Sequence, residues 1–135
     1  AAWESGQPPR APAFLELAPG DYRLFYEANG RIGEARSGDG LSWERIGESP
    51  VLEPGTDVSD DPAFDGLGVG DPEALRAKSV EGRTVTRVYY TGRSADGSTG
   101  IGLAARFGLS IDAVPASRLR IAADPGCVPG SGCCG

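Results

Sequence analysis

Short apolar, β-branched and aromatic runs recur along the chain, and each is closed by Gly, Pro, Asn or Asp. The runs are too short for helices and suit strands joined by tight turns. Residues 1–9 read as an irregular lead-in, and residues 11–17 as a first short strand. Ala18-Pro19-Gly20-Asp21 then turns the chain. Residues 22–28, rich in aromatics, predict a buried strand. Asn29-Gly30 is the strongest two-residue hairpin signal present. It leads into a partner strand over residues 31–37, and Gly38-Asp39-Gly40 precedes a fourth over 41–46. Together these predict an antiparallel meander. From Gly47 to Gly70 the pattern loosens, with Pro50, Pro54 and Pro62 breaking any regular element.

The alternation then returns. Residues 71–77, 84–91 and 100–107 are strand candidates, separated by a turn at Val80-Glu81-Gly82 and a longer polar turn over 92–99. A weaker segment over 111–121 can supply a fourth. The two halves match. Arg10-Ala11-Pro12-Ala13-Phe14-Leu15 aligns with Gly70-Asp71-Pro72-Glu73-Ala74-Leu75, an offset of 60 residues. Leu24-Phe25-Tyr26-Glu27-Ala28 aligns with Val88-Tyr89-Tyr90-Thr91-Gly92 at an offset of 64, and Ile32-Gly33-Glu34-Ala35 with Ile101-Gly102-Leu103-Ala104 at 69. Ordered repeats of four short strands are the signature of propeller blades. The expected fold is all-β and β-propeller-like, with about two four-stranded antiparallel blades. It divides into a lead-in (1–9), a first blade-like repeat (10–57), a second (58–122) and a disordered Gly/Pro/Cys-rich tail (123–135).

Composition supports this picture. Glycine (21) and proline (11) make up about a quarter of the 135 residues, and Leu, Ile, Val and Phe about a fifth, which suits strands and turns rather than a helical bundle. The net charge is −6 and the basic residues are scattered, which disfavours nucleic-acid binding. No apolar run reaches the roughly 18 residues of a membrane span. Histidine is absent, which excludes Ser-His-Asp and Cys-His catalysis and His-ligated metal. Proton transfer would fall to carboxylates, Lys, Tyr or Cys. Cys127, Cys133 and Cys134 all lie in the tail, without the spacing of a zinc site or a disulfide framework. Gly68-Val69-Gly70 lacks the helix that a phosphate-binding loop needs.

The ordered set of residues 24–28, Ile32-Gly33-Glu34-Ala35 and 37–43, followed by Phe64-Asp65, Gly68-Val69-Gly70-Asp71-Pro72, Tyr89-Tyr90-Thr91-Gly92 and Ile101-Gly102-Leu103-Ala104, resembles the five-bladed propeller glycosidases. That superfamily includes arabinanases, xylosidases, invertases, levansucrases and mannoside phosphorylases, and the resemblance covers roughly residues 10–109. It implies an active site at the central axis, where inner strands begin, worked by an Asp base or nucleophile, a second Asp in an Asp-Pro element and a Glu acid. Asp71 resembles that second Asp, which orients the acid or faces the developing oxocarbenium ion. The family often carries Arg before this Asp; here it is Gly70, and the matching position of the first copy is Ala11. No convincing counterpart of the base or the acid is visible. Such folds can hold a calcium ion at the axis, but no ligand set for one is visible, and no cofactor is implied.

Three further residues are candidates for lining a sugar subsite. Phe64 offers a stacking face, Asp65 a polar contact, and Glu27 a carboxylate facing the axis from an aromatic strand. Each has a structural alternative, as a loop anchor or a paired strand residue. Residues 37–43 resemble the Asp-box turn of sialidases, one residue shorter, with Asp39 closing the turn and Trp43 packing. Tyr26, Tyr89 and Tyr90 read as core. The expected function is that of part of a carbohydrate-active propeller, a glycoside hydrolase or phosphorylase, inactive alone. The alternative is a non-catalytic carbohydrate-binding or structural module that assembles with other copies or with further blades of a longer chain.

Overall fold

A computed structural model describes residues 1–55, 64–78, 82 and 84–106, and the backbone of 111–113. The expected tail with its three cysteines, most of the 80–82 turn and the rest of the 111–121 segment lie outside the described residues. The strands are β1 (Arg10–Ala18), β2 (Asp21–Ala28), β3 (Arg31–Ser37), β4 (Glu44–Arg45), β5 (Gly68–Lys78), β6 (Thr84–Arg93), β7 (Thr99–Arg106) and β8 (Ile111–Ala113). They form two antiparallel sheets, ordered β1-β2-β3-β4 and β5-β6-β7-β8. The fold is all-β.

Local chemistry explains the first meander. Asn29 and Gly30 both take positive φ, 49° and 68°, as the tight hairpin turn requires. From that turn β2 and β3 pair without interruption, Ala28 with Arg31 through to Tyr22 with Ser37. The fourth strand is shorter than the predicted 41–46, because Leu41 and Ser42 give their N–H groups to Asp39 Oδ1 at 2.8 and 2.9 Å rather than to a neighbouring strand. The 47–55 connection folds back onto β3, where Ile32 N–H donates to the Leu52 carbonyl and Val51 N–H to the Ile32 carbonyl.

The two sheets share backbone irregularities at matching positions. Register shifts interrupt β1–β2 between Arg10 and Ala13, and β5–β6 between Gly70 and Glu73. Within each shift a non-glycine residue adopts left-handed φ just before a proline: Ala11 at 51° and Asp71 at 46°. The tyrosine of each second strand lies opposite a glycine, Tyr26 on Gly33 and Tyr90 on Gly102. A Cβ on either glycine would overlap the ring across from it. Here glycine serves to seat an aromatic side chain, not to turn the chain.

The core lies between the sheets. Ala13, Phe25, Ile32 and Leu52 of the first pack with Val69, Val88, Tyr90 and Ala104 of the second. Strand β5 runs against β1 and β2, and Val69 N–H donates to the Gly30 carbonyl at 2.8 Å. Directly opposed residues share a face. The first sheet therefore contributes the face carrying Phe25, paired with Ala13 and Glu34, whereas the second contributes the face carrying Val88, paired with Ala74 and Ala104. Val88 matches Leu24, not Phe25, so the sheets stack through opposite faces.

Candidate functional site

Asp71 sits at the bulge that opens β5, with its side chain exposed. Its own N–H donates to Glu27 Oε2 at 3.0 Å. Glu27 is only 2 % exposed and reaches this point from β2 of the other sheet. Its Oε1 accepts from Arg10 Nη2 at 2.7 Å and from Arg93 Nη2 at 3.3 Å. Burial alone would push the Glu27 carboxyl up, but hydrogen bonds from Arg10, the Asp71 N–H and Arg93 outweigh it and hold it below the ordinary range. Arg10 is correspondingly raised by its hydrogen bond and attraction to Glu27, with a smaller contribution from Asp71. The result is a cluster of two arginines and two carboxylates, with Glu27 beneath and Asp71 at the mouth.

This geometry accounts for Gly70, where the resembled family often has Arg. A Cβ at position 70 would overlap the Glu27 carboxylate. Arginines do approach the site, but from β6 (Arg93) and from the start of β1 (Arg10). Glu27 is held ionised with both oxygens engaged, so it is no proton donor for a leaving group.

Phe64 and Asp65 sit apart from this cluster, in the wall of the second sheet. The Phe64 ring stacks on Tyr90 with centroids 6.2 Å apart, and its edge fills the space over Gly92 and Gly100. Asp65 is fully buried. Its Oδ1 accepts from Gly55 N–H at 3.1 Å and its Oδ2 from the Tyr90 hydroxyl at 3.3 Å. Both residues therefore act as an anchor for the segment that enters β5.

The first sheet has a matching anchor that sequence reasoning missed. Trp3 stacks on Tyr26 at 6.1 Å, and the Tyr26 hydroxyl donates to Glu4 Oε1 at 2.5 Å. Trp3-Glu4 precedes Phe64-Asp65 by 61 residues, so this aromatic–acid pair was the available signal. Arg45 Nε also donates to Glu4, at 2.9 Å. Burial pushes the Glu4 carboxyl up, but Arg45, Tyr26 and the Ala1 amine override it and bring it down to about 2. Burial and the Glu4 charge push the Tyr26 hydroxyl up to about 12. Residues 1–9, expected to be irregular, thus carry a short 3-10 turn at Ala2–Glu4 that pins them to β2.

In the 37–43 turn Asp39 accepts from Ser37 Oγ at 2.9 Å as well as from the Leu41 and Ser42 N–H groups. The hydrogen bonds from Ser42 and Leu41 lower its carboxyl. Trp43 meets Phe14 edge-on at 6.2 Å. On the same face lies a groove of about 350 Å³, lined among others by Pro12, Leu24, Tyr26 and Trp43. Among the described residues no three acidic or cysteine side chains gather as metal ligands would, and no helix is long and apolar enough to cross a membrane. Comparison of the chain with protein-family models, curated proteins and solved structures found no match.

Proposed function

We propose that this chain is part of a carbohydrate-active β-propeller, with its two sheets as blades and Asp71 as the residue that meets the sugar. One observation carries this reading. Asp71 holds an exposed carboxylate on a backbone whose N–H is fixed by the buried Glu27, and the other Glu27 oxygen holds Arg10 and Arg93. The left-handed backbone is shared with Ala11 at the matching bulge and belongs to the strand geometry; what distinguishes Asp71 is the exposed carboxylate it places there. A carboxylate near guanidinium groups that Glu27 holds suits the vicinal hydroxyls of a sugar. In glycoside hydrolysis or phosphorolysis Asp71 would orient the acid or face the oxocarbenium ion. Glu27 holds the Asp71 backbone in place, and the proton donor and the base come from other blades.

A non-catalytic sugar-binding module is the second reading. It is favoured by Ala11, which leaves the first sheet without a carboxylate at the position of Asp71. Titration of the isotope-labelled chain with arabino-, xylo- and manno-oligosaccharides tests both. The expected result is a set of shifts centred on Asp71, Arg10 and Arg93, weakened at least tenfold in Asp71→Asn. Absence of such shifts across the panel would refute the sugar reading. Cleavage or phosphorolysis of any of these sugars would exclude the non-catalytic one.

A further inference from the structure

We propose that the outward face of the first sheet is an interface for a second copy of this chain, which docks there head to tail through the outward face of its own second sheet. The inference concerns self-association and stands without the carbohydrate reading.

The argument comes from the contact the chain already makes with itself. Between its sheets, the face of the second that carries Ala74, Val88, Tyr90 and Ala104 is covered by the face of the first that carries Leu15, Phe25 and Ile32. Each face has a counterpart that this contact leaves uncovered. Phe14, Leu24, Tyr26 and Ala35 of the first sheet match Ala74, Val88, Tyr90 and Ala104. Leu24, Tyr26 and Ala35 border the groove of about 350 Å³ beside Trp43, and Phe14 meets Trp43 edge-on. Tyr26 and Ala35 are already buried, Tyr26 being capped by Trp3 as Tyr90 is by Phe64. Leu75, Tyr89 and Ile101 of the second sheet match Leu15, Phe25 and Ile32.

Exposure follows this matching. Ile32 is 0 % exposed and Leu15 7 %, whereas their counterparts Ile101 and Leu75 are 54 % and 37 % exposed. Ala74 packs against the core, whereas its counterpart Phe14 is 53 % exposed. Three of the five large exposed apolar side chains among the described residues, Phe14, Leu75 and Ile101, thus have repeat counterparts that face the internal contact.

The polar positions change in compensating pairs. Inside, Arg106 of the second sheet pairs with the buried Glu34 of the first. On the outer faces the counterparts are Ser37 and Leu103, so both charges are replaced together and neither would be left buried alone. Inside, Glu27 occupies the space that Gly70 leaves open. Outside, the smaller Thr91 would meet the larger Arg10. An interface formed by different patches on the two partners propagates head to tail and closes if its rotation allows.

Sedimentation velocity across a wide concentration range provides the test, with Phe14→Arg and Ile101→Arg as variants. Both side chains are more than half exposed, so each variant should keep the fold, which circular dichroism checks. The wild type is expected to gain mass with concentration, each variant alone to stay monomeric, and an equimolar mixture of the two to form a dimer. That last result identifies a head-to-tail contact, because one variant retains each face. A wild-type mass that stays monomeric throughout would overturn the proposal. So would variants that associate like wild type, or a Phe14→Arg block that Ile101→Arg does not share, which would mean that the first-sheet faces pair with each other. An oligosaccharide bound in the Trp43 groove of a monomeric chain would overturn it as well.

Discussion

The backbone N–H of Asp71 is held by Glu27 Oε2 at 3.0 Å, so the only left-handed acidic residue among those described is fixed by a buried carboxylate of the other sheet. Removing that carboxylate leaves the Asp71 N–H without its acceptor, whereas Arg10 and Arg93, 62 % and 35 % exposed, turn to water. Glu27→Ala is expected to cost about 2–3 kcal/mol, for the cavity it leaves and the Asp71 N–H it orphans, since the freed arginines regain water. Glu27→Gln should cost about 1–2 kcal/mol, because the amide oxygen can still accept. Urea denaturation of the three proteins at neutral pH measures both.

Acid should weaken the fold through the same groups. The Glu27 and Glu4 carboxyls are lowered in the folded state from an ordinary value of 4.5, Glu4 to about 2. The unfolded chain binds these protons first as pH falls, so the stabilisation is complete above 4.5 and is lost on the way down to about 2. The Glu4 share is about 1–2 kcal/mol, reduced by the screening of its half-exposed Arg45 partner. Unfolding free energies at pH 7, 4 and 2.5 should fall in that order. The Tyr26→Phe variant should fall less, since one of the hydrogen bonds that lowers Glu4 is gone.

Gly70→Ala should destabilise by about 2 kcal/mol, since its Cβ would overlap the Glu27 carboxylate. The same change in a Glu27→Ala background should cost far less, because the obstructing atoms are absent. A double-mutant cycle reads the coupling directly, and additivity would mean that Gly70 is required for some other reason.

Asp71 can be relieved of its backbone strain without losing its N–H bond to Glu27. Asp71→Gly should raise stability by about 0.5–1 kcal/mol, and Asp71→Val should lower it by at least as much, since β-branched residues avoid positive φ. Thermal melts rank the three. If Asp71→Gly is also the variant that abolishes sugar shifts, stability and binding are opposed at this residue.

Much of the strand pattern could be read from the amino acids alone. Strand β3 occupies the predicted residues 31–37, and the Asn29-Gly30 turn is where its composition places it. The departures share a cause. Gly68, Gly70 and Gly92 read as loop residues, yet all three lie in strands, because Arg93, Glu27 and Phe64 from elsewhere in the chain occupy the space a side chain would need. Long-range packing of that kind has no local signature. The candidate site follows the same division. Asp-Pro marks the exposed Asp71, but nothing near Glu27 in sequence announces Arg93, 66 residues away. In sequence, Phe64 and Asp65 are candidates for ligand contact, or for a loop anchor, because an aromatic beside an acid suits a sugar. It suits a buried tyrosine equally well, as Trp3 and Glu4 on Tyr26 demonstrate.

Both tryptophans, Trp3 and Trp43, stand against the first sheet, while the second is anchored by Phe64. Intrinsic fluorescence excited in the indole band therefore reports on one sheet only. A melt followed by fluorescence tracks the first sheet, whereas one followed by backbone dichroism averages over both. Any gap between the two curves would show the sheets coming apart one after the other. Trp43 also lines the groove where a second copy is proposed to sit, so the same signal can follow association without an added label.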